Sequence, residues 1–188
     1  MYIMVVKFII VMILIWLCIC ILSILGMYLR AEAKHYRNGQ APTVGTYDRH
    51  YDLMKQKLKI PDWASIIDLG CGDGWVLRFF AKHYNPGRLA GIDNNLMAIW
   101  RWKVLNYLFD HKTINLYHGD IQDIDLSKYD VIYIFLLPKH LDALKSRLQK
   151  SINPEAIVIC NTFEFSDRKP YQILRSDDTN SVIRIYKK

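Results

Sequence analysis

Ser65-Ile-Ile-Asp-Leu-Gly-Cys-Gly-Asp-Gly74 is a short apolar run, interrupted by one acid, that ends in three glycines at alternate positions. An apolar run of this length bounded by glycine reads as a buried strand. Glycine reaches positive φ without strain and lets another group lie against the peptide plane, so Gly70, Gly72 and Gly74 predict a sharp turn with a close approach. Trp75 to Tyr84 follows with helical spacing. The alternation then continues: strands at Leu89–Ile92 and Ile114–His118 flank a helix at Leu96–Phe109, and strands at Asp130–Leu137 and Ala156–Cys160 flank a helix at Leu141–Ile152. Two further strand candidates, Tyr171–Leu174 and Val182–Tyr186, lie in the tail. Strand and helix in alternation predict an α/β fold on a mostly parallel sheet. Upstream, Tyr47, Tyr51, Met54 and Leu58 recur at helical spacing, with Asp48 at the start and Lys55, Lys57 and Lys59 near the end. That pattern predicts an amphipathic helix capped by Thr46 and stopped by Pro61.

Open α/β sheets bind ligands at the carboxyl ends of their strands, and the loop after the first strand is the usual cofactor cradle. A nicotinamide or flavin fingerprint would place glycine at position 75, where Trp75 stands, and Asp73 would face a pyrophosphate unfavourably. The order D-x-G-x-G-x-G from Asp68 to Gly74 resembles instead the loop of class I S-adenosylmethionine (SAM) methyltransferases, whose cofactor has an amino acid end and no phosphate. Asp68 suits such a cationic cofactor. Asp93 ends the second strand 19 residues beyond Gly74, where a carboxylate can accept both ribose hydroxyls. Asp120, after the third strand, stands where class I enzymes contact the adenine amino group.

Over residues 43–188 the chain resembles a narrower group: the protein-lysine methyltransferases that include the ATP synthase c-subunit and adenine nucleotide translocase enzymes and small archaeal relatives. The likeness rests on Ile67-Asp-Leu-Gly-Cys-Gly-Asp-Gly74, Gly91-Ile-Asp-Asn-Asn95, Asp120 followed by Asp125-Leu-Ser-Lys-Tyr-Asp130, Ile134-Phe-Leu-Leu-Pro138, and Ala156-Ile-Val-Ile-Cys-Asn-Thr-Phe-Glu-Phe165. It implies a Rossmann-like, seven-stranded class I sheet that binds SAM through Thr46, Asp68, Gly70, Cys71, Gly72, Gly74, Asp93, Asn94 and Asp120. The family has Pro-Thr where this chain has Gly45-Thr46, and often Glu where it has Asp93. Ser166-Asp-Arg-Lys-Pro170 departs from the family pattern. A protein substrate with an accessible lysine is implied.

Methyl transfer needs a neutral amine, and a lysine of pKa ~10.4 is neutral at about one part in 10^3.4 at pH 7, a cost near 4.6 kcal/mol. Aromatic walls at Phe135, Phe163 and Phe165 would depress that pKa by desolvation, and Glu164 or Asp120 would receive the proton or align the amine. The expected catalytic set is therefore Asp120, Glu164, Phe135 and Phe163. No D/N-P-P-Y follows the fourth strand, where Leu136-Leu-Pro138 stands, which disfavours amide and adenine amino acceptors.

Of the first 29 residues only Lys7, Ser23 and Gly26 are not hydrophobic, and the remaining 159 are ~45% hydrophobic, ordinary for a globular domain. Phe8–Leu29 carries no charge and spans ~33 Å as a helix, against a hydrocarbon core of ~30 Å. The run is longer than the apolar core of a signal peptide and no small-x-small cleavage site follows, so it is expected to remain as an anchor. The family likeness agrees, since members often carry an N-terminal membrane segment. The expected division is an anchor at 1–29, a juxtamembrane linker at 30–45 and a methyltransferase domain at 46–188. Arg30, Lys34 and Arg37 after the span outweigh Lys7 before it, placing the domain on the cytoplasmic side, or the matrix side in a mitochondrion.

The net charge of +7 fits anionic headgroups, and no basic run interleaved with aromatics points to nucleic acid. Cys18, Cys20, Cys71 and Cys160 form no C-x-x-C, and the six histidines form no i, i+4 pair, so no metal is expected. Trp100 and Trp102 on one helix predict one ring on the sheet and the other near a membrane interface. The sequence thus points to a membrane-anchored SAM-dependent protein-lysine N-methyltransferase. A lipid or small-molecule methyltransferase and a non-catalytic SAM-binding assembly factor are the alternatives.

Overall fold

The structure is a computed structural model that describes residues 2–37, 45–109, 114–177 and 180–187. It divides into two compact units, Met1–Pro42 and Thr43–Lys188. The first is a single helix, α1 (Tyr2–Arg37). Its stretch Met4–Arg30 is long and apolar enough to cross a membrane, and none of its most apolar window is buried. The helix continues to Arg37, so the expected linker begins as helix. Residues 27–37 contain neither glycine nor proline, and Ala31-Glu-Ala-Lys34 are helix formers, so nothing stops the helix at residue 30. The remainder of that expected linker, 38–44, lies outside the described residues.

The second unit runs α2 (Asp48–Lys57), β1 (Ser65–Leu69), α3 (Trp75–His83), β2 (Arg88–Asp93), α4 (Leu96–Phe109), β3 (Ile114–His118), β4 (Val131–Ile134), α5 (Pro138–Ser151), β5 (Ile157–Asn161), β6 (Gln172–Arg175) and β7 (Val182–Lys187). Single 3-10 turns at Ile121–Asp123 and Leu126–Lys128 connect β3 to β4. The seven strands lie in the order β3-β2-β1-β4-β5-β7-β6. β1 to β5 are mutually parallel and β7 runs antiparallel to both its neighbours. The strand order reverses between β1 and β4, so the crevice for a ligand opens at their carboxyl ends.

Alternate strand residues feed two cores. Ile66, Leu89, Val131, Tyr133 and Ile159 pack with Leu53 and Met54 of α2, Leu77 and Phe80 of α3, and Ile99 and Trp102 of α4. Ile67, Leu69, Ile132, Ile134 and Val158 pack with Leu141, Leu144 and Leu148 of α5. Burial on both faces explains why these strands read as apolar runs and not as alternating patterns.

Three local expectations change. Tyr47, not Thr46, is the N-cap residue of α2, and it makes no side-chain cap. The buried face of α2 is His50, Leu53 and Met54, whereas Tyr47 is exposed. β4 ends at Ile134 because its partner β1 turns away at Gly70, and the chain enters α5 at Pro138, suited by its fixed φ to the first helical turn. α4 is capped by Asn95, whose Oδ1 accepts from the amides of Met97 at 3.0 Å and Ala98 at 3.2 Å.

Candidate active site

The loop after β1 has Gly70, Gly72 and Gly74 at φ 82°, 50° and 69°, the left-handed region in which side-chain-bearing residues are strained. The amides of Gly70 and Cys71 donate to the Ile92 carbonyl, at 2.8 and 3.1 Å, folding the loop back onto the end of β2. Asp93 completes the fastening: Oδ2 accepts from the Gly72 amide and Oδ1 from the Asn95 amide, both at 2.7 Å. A carboxylate has about four acceptor sites, so both oxygens retain capacity for a ligand hydroxyl. Asp73 turns away from the loop, its Oδ1 accepting from Arg101 Nε at 3.1 Å and Nη2 at 2.8 Å. Arg78, one turn into α3, lies over the Trp75 ring at 3.9 Å and the Trp102 ring at 4.4 Å.

Asp68 is buried at the carboxyl end of β1, on the same sheet face as Tyr133 by register. No hydrogen bond from a described residue reaches its carboxylate. Burial, and then the nearby Asp93 charge, hold the carboxyl well above the usual carboxylate range. An acid in that state gains from a cationic ligand, which favours its ionised form. Burial, with the Asp68 and Asp93 charges, also pushes the Cys71 thiol up, leaving it a small apolar filler.

A chain of hydrogen bonds links the start of α2 to β4 and β5. Asn161 Nδ2 donates to Tyr133 Oη at 2.8 Å, and Thr162 Oγ1 donates to Asn161 Oδ1 at 3.1 Å. The Thr162 proton is thereby committed, so His50 donates through Nε2 to Thr162 Oγ1 at 3.3 Å. Tyr133 Oη and Thr46 Oγ1 lie 3.2 Å apart, and the tyrosine proton is available to that contact. The chain holds Thr162 at φ 66° where the backbone leaves β5. His50 Nδ1 is buried with no hydrogen-bond partner among the described residues. Burial, then Arg49, holds the His50 imidazole below its ordinary value.

Asn161→Ala should cost about 1–3 kcal/mol, because Tyr133 and Thr162 lose a partner together. Urea melts with an unchanged slope check this. Neutral His50 contributes stability that is complete above pH ~6.5 and is lost as the pH falls through its depressed value. The drop in Tm from pH 7 to pH 5 should therefore be smaller in His50→Gln than in the wild type.

The expected site residues fall into two places. Phe135, after β4, and Phe163, after β5, stack with centroids 6.3 Å apart and planes 20° from parallel. Glu164 Oε2 lies 2.8 Å from Arg184 Nε, so its charge faces a guanidinium. Phe165 is buried edge-on against Tyr186, with centroids 4.9 Å apart, and belongs to the α5-side core, not to a wall of the site. Asp120 is exposed beyond β3, its Oδ1 accepting from the Gln122 amide at 2.8 Å. At ~4.8 Å per strand, β3 and β4 are separated by roughly 14 Å, so Asp120 lies on the Asp93 side, away from the phenylalanine pair. Asn94 is exposed next to Asp93.

Glycine loop, buried acid and second strand-end acid make up a cofactor cradle at the carboxyl ends of β1 and β2. Residues 68–172 match the ANTKMT methyltransferase domain, more than half of the chain. The chain belongs to the ANTKMT methyltransferase family. It is a SAM-dependent methyltransferase. A protein-lysine N-methyltransferase of Saccharolobus islandicus (strain REY15A) is 27% identical over 147 residues, covering 77% of this chain and 91% of its own length. The ATP synthase c-subunit lysine N-methyltransferases of Xenopus laevis and Homo sapiens are 27% and 25% identical over 57% of this chain. This chain spans about half the length of those two enzymes, 47% and 46%. The fold is that of an RNA methyltransferase from Salinibacter ruber solved with S-adenosylhomocysteine, with a TM-score of 0.66 at 21% identity over 77% of this chain and 93% of that one.

This member of the ANTKMT family has residues that fit SAM. Asp68 is a buried acid to which no described residue donates, suited to the cationic amino acid end, and Asp93 retains acceptor capacity where ribose hydroxyls would lie. Sequence reasoning did not assign a role to Gly91, Asn161, Thr162, Tyr133 or His50. At Gly91 the signal was present, since glycine inside a strand marks a close backbone approach. A Cβ there would lie 2.7 Å from Cys71 Sγ and from Leu116 Cδ2.

Proposed function

We propose that this enzyme is a membrane-anchored protein-lysine N-methyltransferase acting on a membrane or membrane-adjacent protein. The observation that carries the reading is the likeness to the Saccharolobus protein-lysine enzyme over 91% of that enzyme's length. The apolar stretch Met4–Arg30 supports the anchor, and the basic residues after it favour a domain on the cytoplasmic or matrix side.

Bound SAM supplies a methyl group on a positively charged sulfur. Asp68 would hold the cationic amino acid end, Asp93 the ribose, and Asp120 with Asn94 the adenine side. Gly70, Cys71, Gly72 and Gly74 would present backbone to the cofactor, and Thr46 would approach it from the start of α2. Phe135 and Phe163 would wall the acceptor channel at the ends of β4 and β5. Their work is to strip water from the target ammonium, which lowers its pKa, and to accommodate the methylated cation afterwards. Glu164, facing Arg184, would align the amine; the proton leaves before methyl transfer, so base strength at the site need not be high.

Purified enzyme, wild type or Asp68→Ala, incubated with membranes and methyl-labelled SAM tests the reading. Label in a protein band for the wild type alone is expected, and label solely in the lipid fraction would reject it. With a lysine acceptor, log kcat/KM should rise with a slope near one per pH unit from pH 6 upward, since only the neutral amine reacts. A flat profile over that range would exclude an amine that must lose its proton.

A further inference from the structure

α4 is apolar on two faces. Ala98, Ile99 and Trp102 face the sheet, and Trp102 is only 1% exposed. Leu96, Trp100, Val104 and Tyr107, at spacings of 4, 4 and 3, share the opposite face. At ~3.6 residues per turn these four lie on one outward stripe. Among the described residues the stripe stays exposed: Leu96 is 59% exposed, Trp100 54%, Val104 40% and Tyr107 89%. Lys103 is the charged residue in the stripe, and it too is exposed. A helix that faces water on one side ordinarily carries polar residues there.

The composition of the stripe is that of a membrane–water boundary. Trp and Tyr concentrate at the headgroup level, where an apolar ring body and a polar tip are both satisfied, and Lys extends its amine to the phosphates. The same chain carries an apolar helix long enough to span a bilayer and an excess of basic charge. We infer that the outward face of α4 is a second membrane contact, with Leu96, Trp100, Val104 and Tyr107 seated at the headgroup–acyl boundary of an anionic bilayer. The inference rests on the anchoring proposed above. α4 starts three residues after Asp93, so seating it in the boundary brings the cofactor end of the site to the headgroup level. The acceptors presented to the enzyme are then those at that level, which gives the domain a means of selecting substrate.

The test uses the full chain with Cys18 and Cys20 replaced by Ala. Cys71 and Cys160 are buried, so a single Val104→Cys can be labelled with an environment-sensitive nitrobenzoxadiazole dye. The control carries the dye at Gln149→Cys, an exposed position on α5. SAM binding shows that each labelled chain is folded. In phosphatidylcholine vesicles containing phosphatidylglycerol and brominated acyl chains, the dye at 104 should be quenched several-fold more strongly than the dye at 149. Adding Trp100→Glu should return it toward the control. Equal, weak quenching at both positions in a chain that resists carbonate extraction would overturn the inference and leave the anchor standing. Quenching at 104 in a chain that carbonate releases would reject the anchor and keep α4 as a peripheral contact. Shielding of the dye that bromine does not quench and that grows with the protein-to-lipid ratio would assign the stripe to a second copy, and would overturn the inference.

Discussion

Asp68→Asn should weaken SAM binding by about 100-fold or more and, in the same experiment, stabilise the ligand-free protein. The two effects have one cause. Asp68 is buried with no donor from the described residues, and its carboxyl is held well above the usual range, first by burial and then by Asp93. A carboxyl raised in the folded state imposes no penalty below its unfolded value of ~3.9, and costs stability as the pH rises through its folded value. At neutral pH the ligand-free fold therefore bears the cost of burying the charge or of holding a proton that the unfolded chain would release. Asparagine keeps the shape and removes the charge. Thermal melts should show a higher Tm for ligand-free Asp68→Asn at pH 7, with the difference shrinking toward pH 4, and each kcal/mol relieved should appear as about 2–4 °C. SAM should raise the Tm of the wild type by more than that of the variant at the same concentration. An ordinary structural acid would behave oppositely, losing stability on substitution.

Gly91→Ala should be the most damaging single methyl in the site. Its Cβ would sit 2.7 Å from Cys71 Sγ, 2.8 Å from Cys71 Cβ and 2.7 Å from Leu116 Cδ2. Cys71 is short and its backbone N–H donates a hydrogen bond to the Ile92 carbonyl, so the loop backbone must shift. Overpacking of this kind costs about 1–3 kcal/mol, and the displaced loop is the one expected to cradle SAM. A lower Tm together with weaker SAM binding is the expected pair of results. Cys71→Ala in the Gly91→Ala background removes the Sγ contact and should restore part of the loss. Gly45→Ala, where no described residue other than its chain neighbours lies within 4 Å of the new carbon, should change neither quantity.

The strand and helix alternation was legible because β1, β2, β4 and β5 are buried on both faces and read as apolar runs, whereas β3, mostly exposed at the sheet edge, is marked by the glycine that follows it. β1, β3 and α4 have their expected ends, since Gly70, Gly119 and Asn95 are local signals. The loop and its two acids were legible for the same reason. What escaped is long-range. Asn161 meets Tyr133 across 28 residues, and Thr162 meets His50 across 112, so no window of sequence contains both partners. Thr46 looked like a helix cap because its local pattern fits one, but its hydroxyl lies beside the buried Tyr133 phenol instead. Phe163 and Phe165 look alike in sequence, yet Phe163 stacks on Phe135 and Phe165 packs on Tyr186 in the core. The two tryptophans of α4 divided as their spacing predicts, with Trp102 on the sheet and Trp100 outward.

The most direct test is mass spectrometry of lysine methylation in membrane proteins from cells with the gene, without it, and with Asp68→Asn in its place. Protein-lysine methylation predicts at least one lysine of a membrane protein that is methylated in the wild type and unmodified in the other two. An identical set of methylated lysines in all three, with a methylated lipid present only in the wild type, would contradict it.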